Sequence, residues 1–193
     1  MKKGILLVVS GPAGVGKGTI IKEIMKDDTN ICLSVSATTR KPRAGDIEGV
    51  TYFFKTKDEF SGMVKNDDLL EWAVYSDNFY GTPKQPVLDA LESGRDVILE
   101  IEVQGALQVK AHYPEGVYVF VTPPSLEELE RRITDRGTEE REEIEKRMAT
   151  ARKELEFLNK YNYIIINEDI ETASADLAAV LRASKLTKER YFN

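Results

Sequence analysis

ILLVVSGPAGVGKGTIIKEIM, Ile5 to Met25, decides the fold class of this chain. Ile5 to Val9 is an unbroken apolar run rich in Val and Ile, the pattern of a strand buried on both faces. GPAGVGKGT, Gly11 to Thr19, then places four glycines in nine residues and leads into the helical stretch TIIKEIM. Strand, glycine-rich turn and helix in that order are the setting of a phosphate-binding loop. Glycines let successive backbone amides turn toward one point. The helix N-terminus behind them adds partial positive charge, so the concavity attracts phosphate oxygens. Gly11, Pro12, Ala13, Gly14, Val15, Gly16, Lys17, Gly18 and Thr19 are therefore candidate ligands of nucleotide phosphates, with Lys17 bringing a full charge. Gly18 stands where the usual motif has a Ser or Thr on magnesium. Mg2+ is expected to be held mainly by nucleotide and water, with Thr19 the nearest hydroxyl.

Outward from this unit, Asp96 to Ile101, Val117 to Val121 and Tyr163 to Ile166 repeat the buried-strand pattern, and Cys32 to Ser36 is a weaker fifth. Short apolar runs alternating with longer helical ones predict βαβ units, so the expected fold class is α/β, a parallel β-sheet core flanked by helices. Thr56 with Glu59, and Ser125 with Glu128, match the capping-box spacing that satisfies orphan amides at a helix start. Gly94 is placed to stop a helix that begins near Pro83. Two stretches depart from the alternation. Ala37 to Pro83 holds three tyrosines, Tyr52, Tyr75 and Tyr80, and Ser125 to Lys160 holds eight Arg or Lys between Arg131 and Lys153 among many glutamates. Ile144, Met148, Ala151, Leu155 and Leu158 recur at the spacing of one helical face, which leaves most of those charges on a solvated side.

With 193 residues the chain can bury one sizeable core and is too short to divide into two independent ones. A composition of 41% hydrophobic and 31% charged residues places it among ordinary globular proteins rather than disordered or disulfide-rich chains. The net charge of -6 argues against whole-surface attraction to nucleic acid or anionic membrane, so an anionic ligand must meet a local cluster. One cysteine, Cys32, cannot form an internal disulfide. The start MKKGILLVVSGP meets turn-forming Ser, Gly and Pro too early for a signal peptide or membrane span. A reducing, cytoplasmic compartment is the expectation.

SVSATTRKPRAGDIEGVTYFF at Ser34 to Phe54, the pair Glu71 and Trp72, and FYGTP at Phe79 to Pro83 resemble the monophosphate-binding part of guanylate kinases. The resemblance continues in order through ILEIEVQG at Ile98 to Gly105, PPS at Pro123 to Ser125, RITDRGTEE, KRM at Lys146 to Met148, and IIINED. It spans roughly Gly4 to Leu181. It implies a guanylate kinase-like unit over 4–183, with a P-loop kinase core from 1–36, 84–124 and 161–193. A GMP-binding insertion would occupy about 37–83 and a mobile helical lid about 125–160. The activity implied is transfer of the γ-phosphate of ATP to GMP, giving ADP and GDP, in purine nucleotide metabolism and GMP recycling. ATP and Mg2+ are the implied donor and cofactor, with GMP as the second small-molecule partner and neither nucleic acid nor membrane among the partners.

Guanine chemistry accounts for the residue types. Its edge offers an acceptor at O6 and donors at N1 and N2, so a selective pocket needs a carboxylate toward the donors and a hydroxyl toward O6. Glu71 suits the first role, and Ser36 and Thr82 the second. Adenine would leave acceptors unpaired, at roughly 1–3 kcal/mol each. Arg40 and Arg43 offer planar forks to the GMP phosphate, and Tyr52 and Tyr80 offer phenolic donors, roles the resemblance also implies. Glu100 and Glu102 lie two apart on a predicted strand, so both should point from one face near its C-terminal end, where α/β sheets place ligands. Similar proteins usually carry Asp at the second of these positions. Glu102 is thus a longer version of the expected guanine contact, and Glu100 the better candidate for the metal-water side.

The resemblance makes Arg132, Arg136 and Arg147 lid arginines that close over ATP and act with Lys17. Alignment and charge neutralisation are what phosphoryl transfer asks of a protein. No general base is assigned, because the GMP phosphate is already an anionic nucleophile. His112 reads as a surface residue and Trp72 as packing. Two other readings compete. A guanylate kinase-like module that has lost catalysis and binds peptides is opposed by the joint presence of Lys17, Arg40, Arg43, Glu71 and Tyr80. A kinase of AMP or pyrimidine monophosphates shares the GKGT loop ending, but Glu71 and the hydroxyl pair oppose it.

Overall fold

A computed structural model describes residues 2–75, 77–135, 141–188 and 190. β1 (Leu6–Ser10) is buried at every position and lies at the centre of a parallel sheet. It pairs with β7 (Asp96–Glu100) on one side and β8 (Val117–Thr122) on the other. β2 (Ile31–Leu33) and β9 (Tyr163–Ile166) form the edges, giving the order β2-β7-β1-β8-β9. The period of two along a strand explains why the central run is apolar throughout. Leu7 and Val9 join a cluster with Ile20 and Ile24 of α1 (Lys17–Asp27) and Leu177 and Leu181 of α7 (Ile170–Ser184). Leu6 and Val8 join the opposite cluster, with Val87 and Leu91 of α3 (Lys84–Glu92) and Ala106 and Val109 of α4 (Val103–His112). Each such Val, Leu or Ile side chain contributes about 1.5–3 kcal/mol by leaving water.

The stretch from Ala37 to Pro83 makes a sheet of its own. β3 (Ala37–Thr38), β4 (Phe53–Phe54), β5 (Leu69–Tyr75) and β6 (Asn78–Pro83) run in the order β4-β3-β6-β5. α2 (Lys57–Lys65) closes one face by seating Phe60 against Ala37 and Leu69, with its ring stacked on Phe79 at 5.4 Å. The expected capping box at Thr56 and Glu59 is complete in both directions. Further along, α5 (Leu126–Thr134) and α6 (Arg141–Leu155) pack together and send Leu129, Ile133, Met148 and Ala151 into the α1 side of the core. Ser125 caps α5 by accepting from the Glu128 amide, but the Glu128 carboxylate turns to Arg131 and Arg132 instead of closing the box.

Several expectations are corrected. The weaker fifth strand is present, shifted to Ile31–Leu33. β9 is not buried on both faces, since Tyr163, Ile164 and Ile166 are exposed and only Ile165 is covered. As an edge strand it has one neighbour and little overhead. β7 ends at Glu100, and Glu102 is instead the residue that precedes α4, so the two glutamates are not a strand pair, and neither is buried. Leu158 falls in a short 3-10 turn beyond α6. Gly94 follows α3 with φ +86°, the left-handed stop expected of it.

Candidate active site

The loop between β1 and α1 is held in shape by positions that reject a side chain. At Gly11 (φ +144°) a Cβ would lie 2.0 Å from the Val121 carbonyl oxygen, and Gly16 (φ +96°) forms the left-handed turn into α1. Lys17 Nζ donates back to the carbonyls of Gly11 (2.5 Å) and Pro12 (3.1 Å). Burial lowers the Lys17 pKa, against the opposing pull of Glu100, then Glu154 and Glu102. A cavity of about 370 Å³ opens here, lined by Ala13, Gly14, Gly16, Lys17, Gly18, Thr19, Lys22 and Glu100. Gly11, Pro12 and Val15 are buried behind it. A Cβ at Gly18 would stand 3.5 Å from Glu100 Oε2, so a carboxylate sits beside the position where the usual motif puts its hydroxyl.

A second cavity, of about 450 Å³, shares Lys17 and Glu100 with the first. Ser36, Tyr52, Glu71, Tyr80 and Glu102 also line it, so the parallel core and the smaller sheet meet around one space. Glu71 and Thr82 face each other across β5 and β6, and the Thr82 hydroxyl donates to Glu71 Oε1 at 2.7 Å. Burial raises the Glu71 pKa, with the Thr82 bonds opposing that and Glu102 adding to it. The other oxygen, Oε2, lies where α4 has Gly105, whose missing Cβ would be 2.5 Å away. Tyr52 and Tyr80 meet edge to face at 6.0 Å.

A family model described as guanylate kinase matches residues 3–184. The chain belongs to the guanylate kinase family. It is 53% identical to a guanylate kinase of Clostridioides difficile strain 630 over the whole of this chain and 94% of that one. Identity is 50% to a guanylate kinase of Bacillus subtilis strain 168, over 98% of this chain and 93% of the relative. The crystal structure of guanylate kinase from Anaplasma phagocytophilum superimposes with a TM-score of 0.79 at 33% identity, covering 98% of this chain and 90% of that one. A gluconokinase from Sinorhizobium meliloti, at 17% identity and a TM-score of 0.53, shares the fold alone.

Within this guanylate kinase family member the remaining candidates fall into distinct settings. Thr82 is fully buried and does not line the cavity, so its hydroxyl orients Glu71 and only Ser36 stands open to the space. Arg40 lies over the Tyr52 ring at 5.2 Å and pairs with Asp46 at 2.9 Å, just outside the cavity wall. Arg43 is exposed, and its backbone amide donates to Asp46 at 2.7 Å. That amide and the Arg40 guanidinium hold Asp46 below the usual carboxylate range. Arg132 pairs with Glu128 at 2.7 Å and reaches the Glu168 carbonyl at 3.4 Å, and Arg147 faces Glu143 at 3.6 Å. Bonds from Arg131 and Arg132 pull the Glu128 pKa down to about 2. Arg136 lies outside the described residues. His112 is exposed, and Trp72, 38% exposed, leans on Phe79.

Residues not singled out from the sequence also shape the site. Asp46 organises the loop that carries Arg40 by accepting from the Arg43 amide and pairing with the Arg40 guanidinium. Gln108 of α4 exchanges two bonds with the Trp72 backbone, which ties β5 to the core. Gly105 and Asn167 left no signal beyond lying inside quoted motifs, because their importance is a matter of long-range contact. Among the described residues no group of His, Cys, Asp and Glu is arranged to hold a metal alone, and no helix is long and apolar enough to cross a membrane.

Proposed function

We propose that this chain transfers the γ-phosphate of ATP to GMP, giving ADP and GDP. The observation that carries this reading is the buried Glu71 carboxylate, fixed by Thr82, in a cavity that shares Lys17 and Glu100 with the phosphate-binding loop. One cavity takes the donor phosphates on loop amides. The other takes a base whose N1 and N2 donors meet Glu71 and whose O6 meets Ser36. The acceptor phosphate then lies toward Tyr52 and Tyr80, with Arg40 and Arg43 drawn in from the adjoining loop. Residues 37–83 act as the GMP-binding insertion and 125–160 as the lid, bringing Arg132, Arg136 and Arg147 over the transferring group.

The residues present suit Mg2+ held mostly by phosphates and water. Glu100 beside Gly18 offers one carboxylate, and the Thr19 hydroxyl is near. When bound, the ion neutralises phosphate charge and orients the γ-phosphate. Glu102 reaches the cavity from the α4 N-terminus, where it can accept from the guanine amino group. The setting implied is cytoplasmic nucleotide metabolism. Coupled turnover assays with GMP, AMP, CMP and UMP in parallel test the reading. GMP is expected to exceed the others by at least about a hundredfold in kcat/KM, the discrimination available when a wrong base leaves two groups of the pocket unpaired. Equal rates with AMP would overturn it.

A further inference from the structure

Asn167, the residue after β9, sits behind the donor cavity without lining it. It is 2% exposed, and its backbone amide donates to the Thr122 carbonyl at the end of β8. Its side-chain Nδ2 donates to the Val15 carbonyl at 2.7 Å, a bond between residues 152 apart in sequence. A Cβ on Gly16 would lie 2.6 Å from the same nitrogen, so the amide is seated against the turn that enters α1. Its Oδ1 has no hydrogen-bond partner among the described residues. The donor end is what this side chain uses.

The Val15 carbonyl and the Gly16 N–H belong to one planar trans peptide and point in opposite directions. Fixing the first therefore aims the second. The peptide needs fixing, because Gly16 is free to rotate where a residue with a side chain is not. Gly16 lines the donor cavity, and Val15 is buried behind it. We propose that Asn167 is a positioning residue for phosphate binding, which holds the Val15 carbonyl so that the Gly16 amide faces the donor phosphates. This rests on reading Gly11 to Thr19 as the ATP phosphate site.

The test compares N167A and N167D with the wild-type protein, measuring ATP and GMP dissociation constants by calorimetry and kcat and KM by coupled assay. N167A loses the donor and should weaken ATP about tenfold. N167D keeps the volume but sets a carboxylate oxygen against the Val15 carbonyl, so it should weaken ATP further. GMP affinity should stay within about twofold in both, and KM should rise for ATP and not for GMP. A packing role predicts the reverse order, because alanine leaves a hole and aspartate does not. ATP affinity retained in both variants, alanine worse than aspartate, or equal loss of GMP and ATP would each overturn the proposal. Should N167D fail to fold by circular dichroism, N167L fills the space without a donor, and ATP affinity retained there would overturn it equally. Lys17→Ala separates the two levels. If that change spares ATP binding, the site reading fails; if it abolishes binding and the Asn167 variants do not, only the positioning role fails.

Discussion

Gly105→Ala tests the acceptor pocket through one methyl group set against the Glu71 carboxylate. Gly105 lies in the first turn of α4 with no left-handed backbone, so alanine fits the helix and should favour it by about 0.5–1 kcal/mol. The new Cβ would lie 2.5 Å from Glu71 Oε2 and 3.1 Å from Cδ. Ordinary contact begins near 3.4 Å, so the carboxylate must withdraw by roughly 0.9 Å. Its other oxygen is held at 2.7 Å by Thr82, and withdrawal strains that bond while misaiming the acceptor meant for guanine N1 and N2. Losing one well-aligned bond to a charged group costs about 1.5–3 kcal/mol, which is about ten- to a hundredfold in GMP affinity. Trp72, the only tryptophan, adjoins Glu71 and gives a fluorescence titration for GMP. The expected result is weak GMP binding, unchanged ATP binding and a melting temperature no lower than that of the wild-type protein. Unchanged GMP affinity would refute the claim that the Glu71 carboxylate reads the base, and loss of both ligands with a lower melting temperature would refute the local character of the effect.

Glu71→Gln should weaken GMP about ten- to a hundredfold and AMP less, by calorimetry, because one acceptor becomes a donor facing a donor. Burial makes the folded chain hold the Glu71 proton more tightly than the unfolded chain, so ionising it opposes folding as pH rises between the two pKa values. The variant should therefore melt above the wild-type protein at pH 7.5, with the gap closing as pH falls toward 4, and a lower melting temperature at pH 7.5 would count against this. Lys17→Ala should cut turnover by about 10²–10³ with an unchanged circular dichroism spectrum, since it removes charge from the phosphate site and no core atom. Near-normal turnover would sink the site assignment. ATP and GMP together should compact the molecule in small-angle scattering, because Arg132 and Arg147 now face glutamates of their own helices and must turn toward phosphate. An unchanged radius of gyration would count against closure.

The parts of the fold readable from sequence are those where one local pattern has one physical solution. Ile5 to Val9 had to be a central strand, because both of its faces are apolar and two separate clusters receive them. Edge position carries no such mark. Tyr163 to Ile166 reads like a central strand and is exposed because only β8 lies beside it, a property of sheet order and not of composition. The spacing of Glu100 and Glu102 reads as strand period, yet the strand stops between them. Both reach the same cavity by different routes, one from a strand end and one from a helix start.

The site divides along the same line. Lys17, Glu71, Tyr52 and Tyr80 announce themselves, since charge and hydroxyl groups in a glycine-rich or aromatic setting have few purely structural uses. Thr82 and Ser36 both read as hydroxyls for O6, and sequence alone does not separate them. β6 places Thr82 opposite Glu71, so its proton is committed to the carboxylate, while Ser36 precedes β3 and borders open space. Under the proposed reading the two hydroxyls serve one specificity at different removes. Ser36→Ala should weaken GMP by the single bond to O6, about 0.5–1.5 kcal/mol. Thr82→Val should do more, because it takes the hydroxyl donor from a buried carboxylate, leaving only the Thr82 backbone bond, and raises the Glu71 pKa further. In that variant GMP binding should fail at a higher pH on acidification than in the wild-type protein, whereas Ser36→Ala should leave the pH dependence where it was. Fluorescence titrations of GMP from pH 5 to 8 distinguish the two, and identical pH profiles for both variants would show that Thr82 does not act through Glu71.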